Sequence, residues 1–310
     1  MDVDIARRGI DSLGWKIDRW LIGGVLVAGI KIFTDSAADL PSDLVAHYDI
    51  GVVPLLVSQE DRVFADGRDL THAEFYQLLA ESKQLPTTSQ PSPQDFIEAY
   101  TPYLEQGQTV ISINLSSGLS GTVESALIAQ TSLGDLAKNR LHVVDSLAAS
   151  VGEGLLVCLA ADLAEQGKSA EEIVAAVRAA RARLMHLFTL DTMENLVKGG
   201  RISRAKATLG GLLNIKPILW IDEQGKIDSL DKVRGRKKSL RQLVSRCQAE
   251  AKGDKYPYLG VCHANCLDEA SEVVRQLQQA LPNATVVVGQ IGAAIGTHTG
   301  QGCIAIFYFR

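Results

Sequence analysis

Hydroxyl side chains cluster in residues 85–96, the stretch whose chemistry is easiest to interpret. Thr87, Thr88 and Ser89 come shortly before Ser92, and Asp95 stands three residues after that serine. A serine cap followed by proline and then by an acid predicts a rigid turn that opens a helix. Free N–H groups at a helix start, together with the three hydroxyls, form a neutral cradle for a carboxylate or phosphate. A capped helix without a ligand explains the same residues, so both interpretations stay open here.

Small polar residues also follow three predicted strands. Residues 109–115 run into a serine- and glycine-rich turn that contains Ser120 and Gly121, and the strands at 30–34 and 141–144 end in Asp35 and Asp145. In an open α/β sheet, ligands bind at the carboxyl ends of the strands, where turns expose N–H groups. We therefore expect an anion site at this edge, although ordinary capping accounts for hydroxyls at these positions too.

A histidine and an arginine lie in glycine-rich turns of the second half. His298 is flanked by Gly-Thr and Thr-Gly, and Arg201 follows two glycines. Glycines let the backbone bend closely around a ligand, and a histidine can donate a hydrogen bond to an anion in either protonation state. A structural histidine is the alternative interpretation of the same pattern.

An apolar run is found at 51–57, and similar runs predict strands at 109–115, 258–263, 285–290 and 304–309. Helices are expected at 93–104, 155–164 and 171–184, and capping boxes at Thr71 and Ser92.

Short apolar strands alternate with amphipathic helices from Ile30 onward. This alternation predicts an α/β fold whose first part has a largely parallel sheet with helical crossovers. The second part adds a predicted hairpin at 222–226, which indicates a mixed sheet. A chain of 310 residues exceeds what one core usually organises. We therefore expect an extension over residues 1–29, a domain over 30–168 that carries the binding loops, and a second domain over 169–310.

Composition narrows the function classes. The net charge of −5 and the 5% aromatic content disfavour nucleic-acid binding. Five scattered cysteines do not form a disulfide framework or a metal site with paired ligands, so a reducing cytoplasm is the expected location. The apolar run at 21–30 is too short to span a bilayer, which leaves at most a transient membrane contact.

One dense basic run occurs in the chain. It predicts either a solvated helix face or a docking surface for an acidic or phosphorylated partner. Its members are Lys232, Arg234, Arg236, Lys237, Lys238 and Arg241.

Seven short motifs occur along the chain. They are Thr-Asp-Ser-Ala-Ala-Asp-Leu at 34–40, Thr-Thr-Ser-Gln-Pro-Ser at 87–92, Leu-Ser-Gly-Thr at 119–122, Asp-Ser at 145–146, Lys-Gly-Gly-Arg-Ile at 198–202, Leu-Asn-Ile-Lys-Pro-Ile at 213–218 and Gly-Thr-His-Thr-Gly at 296–300. Their order is that found in the DegV family of bacterial fatty-acid-binding proteins, and the chain resembles that family from about residue 30 to residue 310. One departure is Gln301, where members of the family often have proline.

The resemblance implies a specific function. Two α/β domains would hold one long-chain fatty acid in a tunnel between them and present its carboxylate to a separate ATP-binding kinase subunit. The resulting acyl phosphate would enter phospholipid synthesis, and the binding subunit would itself be no enzyme and need no metal or cofactor.

The resemblance also assigns roles to residues. Thr88, Ser120 and the Gly121 N–H would bind the carboxylate, and His298 would complete the polar end. Arg201 would support this network. Thr87 and Ser89 flank Thr88 as further hydroxyls, and Arg234 would mark the docking face for the kinase.

A second hypothesis is a stand-alone phosphotransferase or hydrolase that uses Asp35, Asp145 and His298. The sequence lacks a spaced acidic cluster for Mg²⁺ and the serine, histidine and acid pattern of a hydrolase. A partner-binding regulatory module that uses the basic run is the third hypothesis.

Overall fold

The computed structural model describes residues 29–202, 214–251 and 258–310. The predicted extension over residues 1–29 lies outside the described residues except for Gly29. Leu213, the first residue of the motif at 213–218, also lies outside them.

Strands and helices alternate along the described part of the chain. The strands are β1 (Ile30–Asp35), β2 (Gly51–Val53), β3 (Leu56–Gln59), β4 (Arg62–Ala65), β5 (Thr87–Ser89), β6 (Thr109–Asn114), β7 (Leu141–Asp145), β8 (Leu184–Thr189), β9 (Ile215–Ile221), β10 (Ile227–Arg234), β11 (Tyr258–His263), β12 (Thr285–Gln290) and β13 (Ile304–Phe309). The helices are α1 (Ser42–His47), α2 (His72–Glu81), α3 (Pro93–Glu105), α4 (Thr122–Ser132), α5 (Val151–Glu165), α6 (Ala170–Arg181), α7 (Glu194–Lys198), α8 (Arg236–Glu250), α9 (Leu267–Ala280) and α10 (Ala293–Thr299).

The first sheet is fully parallel, with the strand order β2-β1-β6-β7. Helices α3 and α4 pack against its strands, and so do α5 and α6. Strands of a parallel sheet are buried on both faces when helices cover the sheet. In β6, five of the six residues are buried. The predicted parallel sheet with helical crossovers is therefore confirmed.

Two further sheets complete the fold. Strands β4, β3 and β5 form a small antiparallel sheet, and six strands form a larger one in the order β10-β9-β8-β13-β11-β12. Within the larger sheet β11 and β12 are parallel and the other neighbours are antiparallel. The predicted mixed sheet is confirmed.

Helix α5 lies between the two larger sheets. It contacts β1 and β6 on one side and β8, β11, β12 and β13 on the other. Residues 151–158 of α5 are all buried, as expected of a helix enclosed on both sides, and all but Glu153 lack a polar side chain other than a thiol. Glu153 Oε1 accepts a hydrogen bond from the Thr34 hydroxyl at 2.9 Å. One core cluster therefore includes Ile111 of the first sheet and Phe307 of the other. Helix α6 packs against β6 and β7, and the division into domains at residue 168 stays a prediction.

Several predicted boundaries were wrong. The residues at 87–89 form the strand β5 rather than a turn. The predicted apolar run at 51–57 is divided between β2 and β3, with Pro54, which lacks an N–H, between them. Helix α5 begins at Val151, four residues before the predicted start, and the helix predicted at 171–184 ends at Arg181.

Candidate functional site

A cavity of about 240 Å³ is lined by residues of the small sheet and of the six-stranded sheet, and by the turn that follows β6 of the parallel sheet. Its wall is mostly apolar and carries a few polar groups, the composition of a small-molecule binding site. The larger apolar residues are Leu55, Leu115, Leu119, Phe188, Leu196, Ile221, Ile227, Ile291, Ile295 and Phe307. The polar residues are Thr88, Ser89, Gln90, Ser120, Ser150, His186, Arg201, His298 and Thr299. We call Thr88, Ser120, Arg201 and His298 the polar end of the cavity.

Helix α10 brings His298 to the cavity, and residues of the first half hold the helix in place. Asp39 Oδ1 accepts a hydrogen bond from the Gly292 N–H, and Asp66 Oδ1 accepts one from the Ala293 N–H, each at 2.8 Å. Burial raises the pKa of both carboxyl groups. The sequence around His298 alone does not fix its position, because the groups that hold its helix come from much earlier in the chain.

Strand β5 orients the hydroxyls of residues 87–89. It pairs antiparallel with β3, with Thr88 opposite Val57. Side chains alternate between the faces of a strand, so Thr88 faces away from Thr87 and Ser89. Thr88 is half-buried and lines the cavity, whereas Thr87 is exposed and does not. Strand pairing thus turns Thr88 toward α10, while Ser89 is exposed and also lines the cavity.

His298 contacts Thr88 at the polar end. Its Nε2 lies 2.8 Å from Thr88 Oγ1, while its Nδ1 is buried without a hydrogen-bond partner among the described residues. Burial, with a smaller contribution from the Arg201 guanidinium, lowers the pKa of His298 to about 4. The imidazole is therefore neutral at physiological pH. If Nε2 donates to Thr88, the threonine hydroxyl hydrogen is free for a ligand oxygen.

Gly199 makes room for the His298 ring. A Cβ at this position would lie 2.2 Å from His298 Nδ1, a distance that real Cβ atoms do not reach. The backbone φ of Gly199 is −70°, which any residue adopts, so the requirement for glycine here is steric. The close approach explains why this glycine belongs to the motif around Arg201.

The turn after β6 supplies a hydroxyl and a helix start. Ser120 Oγ lies 2.9 Å from Thr122 Oγ1, and Gly121 occupies the N-cap position of α4 without a side chain that could cap it. A Cβ on Gly121 would lie 2.5 Å from Gln90 Nε2, so the turn fits closely against that side chain. The first N–H groups of α4 therefore follow shortly after Ser120, and no side chain at the N-cap position accepts hydrogen bonds from them.

Arg201 connects the two halves at the polar end. Its Nη1 donates to the Gly199 carbonyl at 2.8 Å, and its Nε donates to the Leu119 carbonyl at 3.4 Å. It lines the cavity and is largely exposed, so its charge is partly screened. The arginine therefore places a positive charge next to Ser120 and His298.

The structure brings together most of the predicted site residues. Thr88, Ser89, Ser120, Arg201 and His298 line the cavity, whereas Thr87 and Gly121 are not part of its wall. Arg234, predicted as a docking residue, is exposed at the end of β10. The roles assigned to these residues stay predictions.

The predicted cradle at the start of α3 is not part of the cavity. Ser92 and Asp95 form the predicted capping box, in which Ser92 Oγ accepts from the Asp95 N–H at 3.2 Å and Asp95 Oδ2 accepts from the Ser92 N–H at 2.7 Å. These bonds occupy N–H groups that the cradle needed, and neither residue lines the cavity. The helix start beside the polar end is that of α4 instead.

Asp35 and Asp145 have structural partners and lie outside the cavity wall. Asp35 is buried and accepts from the Leu115 N–H at 2.8 Å and the Ala37 N–H at 3.0 Å, and burial raises its pKa to about 6. Asp145 accepts from the Ser117 hydroxyl at 2.5 Å and the Leu147 N–H at 2.9 Å. The structure therefore does not bring the three residues of the enzyme hypothesis together in the cavity.

Sequence reasoning missed four polar residues of the wall. Gln90 and Thr299 belong to the motifs at 87–92 and 296–300, Ser150 follows β7 with a positive φ of 54°, and His186 lies within β8. The available signal for His186 was a polar residue inside an otherwise apolar strand, Leu-Met-His-Leu-Phe-Thr. A buried strand carries a histidine at a free-energy cost, so such a residue merits a functional hypothesis.

Metal and membrane features are absent from the described residues. Within residues 29–202, 214–251 and 258–310, no group of three histidine, cysteine or acidic side chains is placed to hold a metal ion. No helix in this part of the chain is both long and apolar enough to cross a bilayer.

Comparisons with known proteins agree with this architecture. The chain matches the family model described as uncharacterised protein, DegV family, over residues 29–310. It is 38% identical over 279 residues to a DegV domain-containing protein of Caldanaerobacter subterraneus, covering 90% of this chain and 98% of the relative.

Solved structures superpose on most of the chain. A structure described as fatty acid binding of a DegV family protein from Thermus thermophilus has a TM-score of 0.82 and 34% identity, covering 91% of this chain and 100% of that one. A stearic acid-binding protein from Eubacterium ventriosum has a TM-score of 0.83 and 27% identity, covering 91% and 98%. With a family match over nearly its whole described length, the chain belongs to the DegV family.

Proposed function

We propose that this protein binds one long-chain fatty acid in the cavity, with the carboxylate at the polar end and the acyl chain along the apolar wall. The observation that carries the proposal is the His298–Thr88 pair, joined at 2.8 Å at one side of a mostly apolar cavity. The two residues are 210 positions apart in the sequence. A purely apolar core would need neither a hydroxyl nor an imidazole at this place.

The polar end has the donors that a carboxylate requires. A carboxylate removed from water is costly unless each oxygen accepts hydrogen bonds. The hydroxyls of Thr88 and Ser120 and the N–H groups at the start of α4 are neutral donors, and Arg201 adds a positive charge at the rim. This donor set favours a single carboxylate over a doubly charged phosphate monoester, which calls for more cationic groups.

The apolar wall supplies most of the affinity. Each CH₂ group transferred from water to this wall contributes about 0.8 kcal/mol, so a long chain outweighs the cost of ordering the ligand. The descriptions of the Thermus thermophilus and Eubacterium ventriosum structures, which name fatty-acid and stearic-acid binding, support the same class of ligand.

In this proposal the bound acid is the substrate of a separate ATP-binding kinase subunit in the cytoplasm. That subunit would phosphorylate the presented carboxylate, and the acyl phosphate would enter phospholipid synthesis. The binding protein needs no nucleophile, metal or cofactor for this task. Arg234, Lys237, Lys238 and Arg241 are exposed and form the docking face, whereas Arg236 is held by Glu269 at 2.7 Å.

Native mass spectrometry and stearate titration test the binding. We expect a co-purifying mass in the range of long-chain fatty acids. Thr88→Val should weaken stearate binding about tenfold, the effect of one lost hydrogen bond to a charged group. Thr87→Val is the matched control, because Thr87 lies on the opposite face of the same strand and should bind as the wild type does. Equal affinities of the two variants would place the carboxylate elsewhere.

The kinase step has its own test. ATP-dependent acyl phosphate formation is measured with the kinase subunit present and absent, and we expect product only when it is present. Arg234→Glu should slow this reaction while stearate binding persists, and Arg178→Glu, an exposed arginine on α6, is the control. Turnover of ATP or esters by the isolated protein would instead favour the enzyme hypothesis.

A further inference from the structure

His186 is a polar residue in the wall of the cavity that does not belong to the polar end. It lies on β8 two residues from Phe188, and both side chains line the cavity. His186 is only 4% exposed. Phe307, which is its partner in the register of β8 and β13, is an apolar residue of the same wall.

The imidazole of His186 lacks a hydrogen bond at Nε2. This atom is buried and has no partner among the described residues. A Cβ on Gly152 would lie 2.6 Å from His186 Cδ2 and 2.8 Å from Nε2, so this edge of the ring packs against α5. The Phe307 ring contacts the imidazole edge-on, with centroids 5.6 Å apart. Protein atoms thus close the Nε2 side of the ring.

The opposite vertex of the ring is Nδ1. In an imidazole, Nδ1 lies across from the Nε2–Cδ2 bond, so it points away from Gly152. Burial lowers the pKa of His186 to about 3, which leaves a neutral ring with one N–H. Because Nε2 faces no acceptor, the hydrogen is better placed on Nδ1. A donor in the cavity wall that lacks an acceptor is unfavourable, and a ligand oxygen would satisfy it.

The register of the sheet places His186 farther from the polar end than Phe188. Strand β8 runs toward α7, whose C-cap residue Gly199 touches His298. His186 comes two residues earlier in this strand, about 7 Å farther from that end. An acyl chain with its carboxylate at His298 would therefore meet Phe188 before His186.

We propose that the cavity accepts fatty acids whose chain carries a hydrogen-bonding oxygen, as a hydroxyl or keto group, with His186 as the partner of that oxygen. The inference rests on the proposed fatty-acid function and specifies its substrate class. His186 in this role determines specificity along the chain, whereas the polar end recognises the carboxylate that all fatty acids share.

A series of hydroxystearic acids that differ in hydroxyl position, with stearic acid as reference, tests the proposal. We expect one or two neighbouring positional isomers to bind the wild type about five- to tenfold more tightly than stearate. His186→Phe should lose this preference and bind stearate more tightly than the wild type, because an apolar ring replaces an unpaired polar one. His186→Asn should retain part of the preference, since an amide also donates.

A spectroscopic measurement separates a hydrogen bond from a change of shape. In ¹⁵N-histidine-labelled protein, the His186 ring nitrogens should shift when the preferred hydroxystearate binds and shift less with stearate. The proposal is overturned if no isomer binds better than stearate, or if the preference persists in His186→Phe. If stearate itself fails to bind the wild type, the proposed function fails instead, so the two failures are distinguishable.

Discussion

Two histidines line the same cavity, and their surroundings differ. His298 contacts a threonine hydroxyl at 2.8 Å and lies near the charge of Arg201. His186 packs against Gly152 and Phe307, with Nε2 unpaired. Burial keeps both rings neutral, and it lowers their pKa values to about 4 and about 3. A histidine in a polar network can help to bind the charged group of a ligand. An isolated histidine can only favour ligands that carry a hydrogen-bonding group at its position.

Removal of the His298 ring should have the largest effect. His298→Ala should weaken binding of stearate and hydroxystearates alike, by about tenfold or more, because the carboxylate is common to them. His186→Phe should instead change the ratio of the two affinities. Isothermal titration with both ligands measures this contrast, and a tail-dependent effect of His298→Ala would contradict it.

Gly199→Ala tests whether the position of the His298 ring matters. The added Cβ would lie 2.2 Å from Nδ1 and should displace the ring, so we expect stearate binding to weaken nearly as much as in His298→Ala. In the His298→Ala background the same change should cost little more, because the ring is gone. Additive losses in this double-mutant cycle would show that Gly199 acts by another route.

The two histidines should also affect how the free energy of unfolding depends on pH. A pKa lowered by folding means that the unfolded chain takes up protons first, so stability is complete above about pH 6.5 and falls as the pH drops toward 4 and 3. His186→Phe removes one such group. Between pH 6.5 and 4.5 it should lose about 2 kcal/mol less free energy of unfolding than the wild type. Urea titrations at both pH values measure the difference, and equal losses would mean that His186 is accessible to protons.

Arg201→Gln should have the smallest effect. Loss of the guanidinium removes one of the two causes that lower the pKa of His298, so that pKa should rise, while burial still holds it below the ordinary value. The His186 ring should titrate as before, because its pKa is lowered by burial alone. NMR titration of the labelled rings measures both in one sample. A shift of both pKa values would indicate a general rearrangement of the cavity.

Local sequence signals predicted the elements well. The strands β6, β11, β12 and β13 lie within a residue of their expected bounds, and both predicted capping boxes form, at Thr71 and Ser92. Such features depend on residues a few positions apart, which the sequence shows directly. The turn predicted at 87–89 was wrong because β5 depends on its pairing with β3, which residues close in sequence do not reveal.

For the site, too, the sequence motifs identified some residues correctly and could not decide others. Motif resemblance found Thr88, Ser120, Arg201 and His298, all of which line the cavity. The motifs could not exclude Asp35 and Asp145 from the site. In the structure, their carboxylates accept hydrogen bonds from backbone and side-chain donors of neighbouring turns.

By itself the sequence determined the alternation of strands and helices, the helix caps and the set of small polar residues at the strand ends, because these depend on spacing along the chain. Only the tertiary structure decided which hydroxyl at 87–89 meets His298, that α10 is held by Asp39 and Asp66, and that His186 is enclosed with an unpaired nitrogen. Each of these depends on contacts between groups far apart in sequence, and their burial and partners are set when the sheets and α5 pack together.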